Sequence, residues 1–284
     1  MAFRPALPAD SSAIEAFLVG RSDTSMFLRA NLAEHGPCGG EARNATRMWI
    51  REEEGAVTGV FGITTAGFLL VQVPEALPAE VVGILAPYRI NGIFGATEQV
   101  REMRARLGLM AAETQLDDDE PLYSLDLAAL MPPAGTTRLR AATATDLPLL
   151  IRWRTDYLVE IFHFAEADAA DLAKADVETM LDRRSLMLLE EDGQPVAMTS
   201  FNAILKDMVQ IGSVFTPEAA RGRGHARRAV ALHLEQARRV GVKRAILFAS
   251  GPAASRAYEA IGFRQIGHFT LLFFADTQSV RAAA

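Results

Sequence analysis

Val214-Phe215-Thr216-Pro217-Glu218-Ala219-Ala220-Arg221-Gly222-Arg223-Gly224-His225-Ala226-Arg227 is the stretch on which the reading of this chain turns. The apolar run Met208 to Phe215 leads into it and predicts a strand, and Pro217 cannot continue that strand. A helix is predicted from about His225 to Val240, closed by Gly241. Ala245 to Ala249 then predicts a second strand, and Pro252 suits the first position of a second helix. Gly222 and Gly224 thus stand where the chain turns into a helix. Glycine there removes side chains that would keep a ligand off the backbone, and the first free amides carry the positive end of the helix dipole. Arg221, Arg223 and Arg227 add charge suited to a pyrophosphate. The stretch reads as an anion cradle. A solvated helix start is the rival reading, but such a start has no need of two glycines.

Two common cradles are excluded. There is no Gly-Lys-Ser/Thr, so a triphosphate loop with its magnesium is absent. A dinucleotide site wants an acid at the end of the next strand, where Phe248-Ala249-Ser250 stands instead.

Working outward, the chain repeats. Phe3-Arg4-Pro5-Ala6 with Asp10 and a helical run from Ile14 to Leu18 is echoed by Leu139-Arg140-Ala141-Ala142 with Asp146 and a run from Leu147 to Trp153. In both, a short strand is followed by an Asp able to accept from the first helix amides. Trp49 to Gly55 matches Leu188 to Gly193, and Val71-Gln72-Val73 matches Val209-Gln210-Ile211. Ile93-Phe94 through Gly108-Leu109 matches Leu247-Phe248 through Gly262-Phe263. The offset between halves is 138 at Val71/Val209 and 154 at Gly108/Gly262, so the first half lacks sixteen residues there. The second half fills that interval with the cradle and its helix. Each half closes on an apolar strand, Leu122 to Leu127 and Phe269 to Phe274. Met131-Pro132-Pro133-Ala134-Gly135 breaks both elements beside it, which divides the chain into 1–130, a linker at 131–136, and 137–284.

Composition bounds the rest. The chain has 284 residues, 50% apolar and 23% charged, enough for a core in each half and unlike a disordered chain. Its net charge of −6 argues against a nucleic-acid partner. Cys38 is the single cysteine, which forbids an internal disulfide or a cysteine-rich zinc site, and no metal is expected. No apolar run approaches a membrane span, and the first residues do not resemble a secretion signal, so a cytoplasmic protein without a membrane partner is expected. Asp117-Asp118-Asp119-Glu120 reads as a solvated turn, and Cys38 as part of a flexible glycine loop. His225 and His233 read as a solvated helix face. Trp49, Trp153 and Met187 read as core.

Arg221-x-x-Gly224-x-Ala226, preceded by Val214-x-Thr216-Pro217, resembles the acetyl-CoA signature of the GNAT N-acetyltransferases. Ala254-x-x-x-Tyr258-Glu259-x-x-Gly262-Phe263 resembles the closing helix of that family. The resemblance covers about Thr137 to Phe274, and the first half resembles a degenerate second copy. It implies an α/β fold with a mixed β-sheet flanked by helices in each of two tandem domains. It also implies an N-acetyltransferase moving an acetyl group from acetyl-CoA to a primary amine of a small molecule or peptide. The backbone of Val214, Phe215 and Thr216 would pair with the pantetheine and offer an amide to the thioester oxygen. The amides of Arg221, Gly222, Arg223, Gly224, His225, Ala226 and Arg227 would hold the pyrophosphate. Tyr258 would protonate the departing thiolate. Arg104 stands where Tyr258 would be in the first half, so that half is read as a structural partner that walls the acceptor pocket.

Two positions depart from the family pattern. Gly251 replaces the Asn seven residues before the tyrosine, which removes a hydrogen bond to the cofactor. The strand before Val214 lacks the glutamate that often serves as base, and Gln210 cannot take a proton. Glu160, His163 and Glu166 are the replacement candidates, with His163 first by its ordinary pKa; a structural histidine and deprotonation through water are the rivals. Two other functions stay open: a non-catalytic acyl-CoA-binding protein, and an acyltransferase using another donor. The region from about Leu150 to Arg184 that would shape the acceptor site is mixed in charge and does not name the amine. The oligomeric state is also open, with a homodimer among the options.

Overall fold

The computed structural model describes residues 2–280. In chain order its elements are β1 (Arg4–Pro5), α1 (Ser11–Val19), α2 (Ser22–His35), β2 (Thr46–Glu53), β3 (Ala56–Thr64), β4 (Phe68–Gln72), α3 (Val81–Leu85), β5 (Ile90–Ala96), α4 (Thr97–Arg106) and β6 (Thr114–Asp126). There follow β7 (Arg138–Ala141), α5 (Leu147–Phe162), α6 (Glu166–Asp182), β8 (Leu186–Glu191), β9 (Gln194–Ile204), β10 (Met208–Phe215), α7 (His225–Arg239), β11 (Arg244–Phe248), α8 (Pro252–Glu259) and β12 (Arg264–Gln278). Strand, loop and helix around the glycine cradle fall where the sequence places them.

The chain forms two compact units, Met1–Glu120 with Gly267–Ala284, and Pro121–Ile266. The first unit orders its strands β1-β2-β3-β4-β5-β12, and the second β6-β11-β10-β9-β8-β7. Both are mixed: β4 runs parallel to β5 and β10 parallel to β11, with antiparallel neighbours around them. A cut at 131–136 would leave each closing strand with the half that precedes it. The pairing is the reverse. Leu122–Asp126 lies against β11, and Phe269–Phe273 against β5. The prolines at 132 and 133 belong wholly to the second unit, where Arg228 donates to the Pro133 carbonyl, to the Gly135 carbonyl (2.7 Å) and to Thr137 Oγ1 (2.6 Å).

The repeat extends to individual atoms. Arg4 donates to both oxygens of Asp10 and, through Nε, to Glu52 at 2.7 Å; Arg140 does the same with Asp146 and, at 2.6 Å, with Glu190. Each Asp also accepts from the amide three residues before it, Leu7 or Thr143. That corrects the expected cap: the carboxylate closes the turn behind it and holds the arginine, rather than taking the amides ahead. Arg140 first, then the Thr143 amide and hydroxyl, hold the Asp146 carboxyl down at about 2. The next turns match too, with positive φ at Glu54 and Gly55 and at Asp192 and Gly193, the two-residue hairpin geometry.

Following the ladders across each sheet corrects one register. Arg4 faces Ile50, Ile50 faces Val60, and Val60 faces Gln72. Arg140 faces Leu188, Leu188 faces Met198, and Met198 faces Phe215. Gln72 therefore corresponds to Phe215, not to Gln210. The offset is 138 at Ile50/Leu188, 143 at Gln72/Phe215 and 154 at Gly108/Gly262. Five of the sixteen missing residues thus belong to the hairpin that ends in β4, and eleven to the loop and helix after it. The helix accounts for most of these, since α3 has 5 residues and α7 has 15.

Candidate functional site

In the second unit the parallel pairing of β10 with β11 covers Met208, Val209 and Gln210 only. Strand β10 nevertheless continues to Phe215, held there by β9 alone. Two register shifts on β9, at Gln210/Ile211 and Gly212/Phe215, bend it away, as bulges do. Ser213 sits in the second with φ +51°. Five residues of strand thereby leave their parallel neighbour and open a cleft whose walls carry main-chain donors and acceptors. Val214 and Phe215 lie on the departing strand and Thr216 just beyond it. Thr216 Oγ1 is buried and has no hydrogen-bond partner among the described residues.

The first unit has no such opening. Its β4 pairs with β5 from Phe68 to Val71, one residue short of the strand's end at Gln72. At the last pair, a β-carbon on Gly95 would lie 2.9 Å from the Val71 carbonyl. The strands are closed where their counterparts part.

Beyond the cleft a 3-10 turn, Glu218–Ala220, brings the chain to Arg221. Gly222 and Gly224 adopt φ +77° and +81°, and α7 begins at His225. The two left-handed glycines on either side of Arg223 place no side chain beside the first amides of α7, an arrangement suited to a phosphate group. A β-carbon on Gly222 would project into open space. The arginines divide their work. Arg221 donates to the Thr216 carbonyl at 2.9 Å and to Glu160 at 2.6 Å, while Arg223 reaches Glu191 at 2.6 Å. Arg227 is exposed, has no ion-pair partner among the described residues, and lies against Gly224.

Ala226 is half-buried in the first turn of α7, and His225 is buried there with Nε2 4.0 Å from a Glu191 oxygen. His233, two turns on, is buried against Phe201 with ring centroids 3.7 Å apart. Burial pushes its pKa down to about 3. The solvated face expected for these two histidines is therefore a core-facing one. The reason is that Val230, Leu234 and Ala237 on the same helix pack on Val209, Ile211 and Phe201 of the sheet, and the histidines share that side.

Tyr258 lies in α8, buried beside Phe263 with centroids 6.0 Å apart. Its carbonyl accepts from the Phe263 amide, as the Arg104 carbonyl accepts from Leu109. That shared helix end establishes the two positions as equivalents. Arg104 is buried with its guanidinium spent on Asp117 and on the carbonyls of Leu109 and Ala112. Gly251 precedes α8 at φ +96°, ψ 173°, a conformation restricted to glycine. Backbone shape therefore accounts for the missing asparagine.

Of the proposed bases, Glu160 is tied to Arg221. His163 is exposed at the end of α5 with φ +56°, and Glu166 is exposed in the first turn of α6. Among the described residues no hydrogen bond joins His163 to Tyr258 or to the glycine turn. Gln210 is buried at the point where β10 leaves β11, and its Oε1 has no partner among the described residues. Arg154 was visible in sequence only as one charge in a mixed region. In the fold it donates to Asp176 at 2.6 and 3.0 Å and to Ser213 Oγ at 3.1 Å. It thus clamps α5, α6 and the left-handed residue of the bulge together. No short-range pattern announces a contact between residues 22 and 59 positions apart.

Two further readings change. Asp117–Glu120 is strand, not turn: Asp117 pairs with Arg101 and Arg104, and Asp119 with Arg101 and the Thr270 hydroxyl. Burial, with Asp118 adjacent, raises the Glu120 carboxyl to about 7. The Cys38 loop is pinned, with Gly39 donating to the Thr46 carbonyl and Met48 to that of Pro37. Among the described residues there is no group of His, Cys, Asp and Glu able to hold a metal, and no helix is long and apolar enough to cross a membrane.

Residues 147–263 match the family model for the acetyltransferase (GNAT) family. The whole chain is similar in fold to several solved structures. One is a tandem GNAT protein from the clavulanic acid biosynthesis pathway (13% identity, 100% of this chain and 99% of that one, TM-score 0.57). Others are GCN5-related N-acetyltransferases from Kribbella flavida (16%, 95% and 97%, TM-score 0.57) and Sphaerobacter thermophilus (14%, 99% and 96%, TM-score 0.54). No curated protein sequence matches the chain.

Proposed function

Residues 147–263 being a domain of the GNAT acetyltransferase family within a tandem GNAT fold, we propose that the second unit transfers an acetyl group from acetyl-CoA to a primary amine. One observation carries this reading: β10 leaves β11 after Gln210 and leads into a turn with left-handed glycines at 222 and 224. A cleft lined by unpaired backbone suits the amides of a pantetheine arm, and the glycine turn suits its pyrophosphate. Thr216 Oγ1, buried and unpartnered, waits at the junction of the two.

In the proposed reaction the amine nitrogen, already unprotonated, bonds to the thioester carbon. The backbone amide near Val214 stabilises the oxyanion. As the carbon–sulfur bond breaks, Tyr258 donates its phenolic proton to the thiolate, whose conjugate acid is of comparable strength. With Glu160 committed to Arg221, water takes both the proton of the entering ammonium and the one the nitrogen sheds as the amide forms, and the Tyr258 phenolate regains its proton from solvent. Placement of the two reactants then supplies most of the rate. The first unit, with closed strands and Arg104 in place of the tyrosine, has no part in the chemistry.

The engagement of Glu160 by Arg221 favours one second reading, an acyl-CoA-binding protein without turnover. Calorimetric titration with acetyl-CoA tests both. One site per chain supports the cradle, and two sites would overturn the exclusion of the first unit. No binding at millimolar ligand would remove both readings. Thiol release on a panel of amines separates transfer from binding alone.

A further inference from the structure

The first unit is not only a shortened copy. Between α6 and β8 the second unit has three residues, 183–185, whereas between α2 and β2 the first has ten, 36–45. Gly39, Gly40 and Ala45 of that added segment form one wall of an open cavity of about 370 Å³. The start of β5 and the β3–β4 turn form the others. Arg47, Arg89, Tyr88, Asn91 and the hydroxyl residues Thr64 and Thr65 supply its polar surface.

Its charge is one-sided. The chain carries six more acids than bases, yet this cavity is lined by two arginines and no carboxylate. Arg47 is exposed and makes no ion pair among the described residues; Arg89 donates to the Ser279 hydroxyl, a neutral partner that leaves its charge unbalanced. The walls are built to stand close. Gly67 holds φ +78°, and a β-carbon there would come within 2.8 Å of the Arg89 carbonyl. Gly39 holds φ +77°, 3.2 Å from the Arg47 β-carbon by the same measure. The cavity lies where β4 and β5 begin, at Phe68 and Ile90, opposite the end at which the second unit's parallel pair opens. It is therefore not the remnant of an acyl-CoA cleft.

We propose that this cavity is a binding site for a small ligand bearing a dianionic head, a phosphate ester or a compact polycarboxylate, held between the Arg47 and Arg89 guanidiniums. Guanidinium forks match the oxygens of either group in pairs. The volume is that of a small-molecule site. Having lost the helix and glycine turn of the other cradle, the first unit has gained an anion site at its other end.

The test is calorimetric titration of the full chain with inorganic phosphate and with citrate, with coenzyme A saturating and again on Gly224→Ala. The expected result is one site for at least one probe, unaffected by either change. Arg47→Ala and Arg89→Ala should each weaken it about tenfold or more. Arg47→Gln, which keeps length without charge, should weaken it as Arg47→Ala does. Binding of one probe and not the other names the ligand class. Absence of binding by both, affinity indifferent to all three substitutions, or loss of the whole signal under coenzyme A would overturn the site. The last outcome would place the anion on the second unit. Because the site owes nothing to acetyl transfer, failure of acetyl-CoA to bind leaves this result to stand or fall alone.

Discussion

Gly224→Ala separates what the glycine turn does for the fold from what it does for a ligand. The residue holds φ +81°, where a β-carbon costs about 1–2 kcal/mol. The new methyl would meet Nε of Arg227 at 3.0 Å, the far end of a flexible side chain that can swing aside. Backbone strain is then the whole folding cost. For a unit of this size it lowers Tm by about 2–8 °C. Gly241 is the matched control: it ends the same helix at φ +99°, with nothing within 4 Å of its would-be β-carbon. Gly241→Ala should lower Tm by a similar amount. The two must differ in affinity. A methyl at 224 stands between the pyrophosphate and the first amides of α7. Losing one hydrogen bond to a charged group costs about 1.5–3 kcal/mol, or about a tenfold to 150-fold rise in Kd for acetyl-CoA. Gly241→Ala should leave Kd within about twofold, since its strain is present in both free and bound protein. Thermal melts and calorimetry at one fixed salt concentration read both quantities. Equal losses of affinity in the two variants, or an unchanged Kd for Gly224→Ala, would refute the cradle.

Tyr258→Phe should lower kcat for the best amine by about 10²–10⁴ with acetyl-CoA affinity unchanged, read as thiol release; unaltered turnover would remove the acid. His233 makes stability depend on pH in a defined direction. Burial depresses its folded pKa to about 3 from 6.5, so the unfolded chain takes up the proton first. Stability is complete above pH 6.5 and declines as pH falls toward 3, by at most about 1.4 kcal/mol per pH unit. Asp146, held near 2, loses its contribution only below its unfolded value of 3.8. Glu120, raised to about 7, loses its own as pH rises from 4.5 to 7. The histidine is therefore read as the difference between denaturant melts of the unaltered chain and of His233→Phe over pH 4.5 to 6.5. His233→Phe should lose the rise of stability with pH that the histidine supplies, and parallel curves for the two proteins would count against the assignment. Arg228→Ala should speed proteolytic cleavage within 131–136 several-fold, because the Pro133 and Gly135 carbonyls there, and the Thr137 hydroxyl beside them, lose their donor; an unchanged rate would show that the linker is held by other means.

Much of the site was legible because its signals are local. A glycine that must adopt positive φ, a proline that must stop a strand and an apolar run that must be buried each declare themselves within a few residues, and β10, the turn and α7 follow from them. The paired Arg-to-Asp spacing was legible as a repeat, though not as the ion pair it forms, since the Asp partners lie behind it rather than ahead. Less local features were hidden. His225 and His233 read as solvated because histidine tolerates either environment; what buries them is the row of Val230, Leu234 and Ala237 beside them. Arg154, Asp176 and Ser213 come from three elements. The positive φ of Ser213 has no sequence signature, because serine is strained there and is held by its contacts.

The register of the repeat shows why composition alone misleads in a sheet. Val71-Gln72-Val73 and Val209-Gln210-Ile211 look alike because both are buried and apolar around a glutamine, yet the ladders make Phe215, not Gln210, the counterpart of Gln72. Apolar strands of this kind carry almost no information about their neighbours. The closing strands show the same limit: Leu122 to Leu127 and Phe269 to Phe274 are equally apolar, and either satisfies the open edge of β5 or of β11 by pattern. Each joins the sheet of the other half. The exchange has an energetic consequence. The first unit cannot complete its sheet until residues 267–278 have been made, so the edge of β5 stays unpaired while the whole second unit is synthesised, and an unpaired edge invites association. Truncation before Gly267 should therefore damage the first unit, which the truncation does not otherwise touch, while a chain cut at 130 would lack the first unit's last strand from the outset. A halved protein of either kind is a poor test of what either half does, and the ligand titrations belong on the full chain.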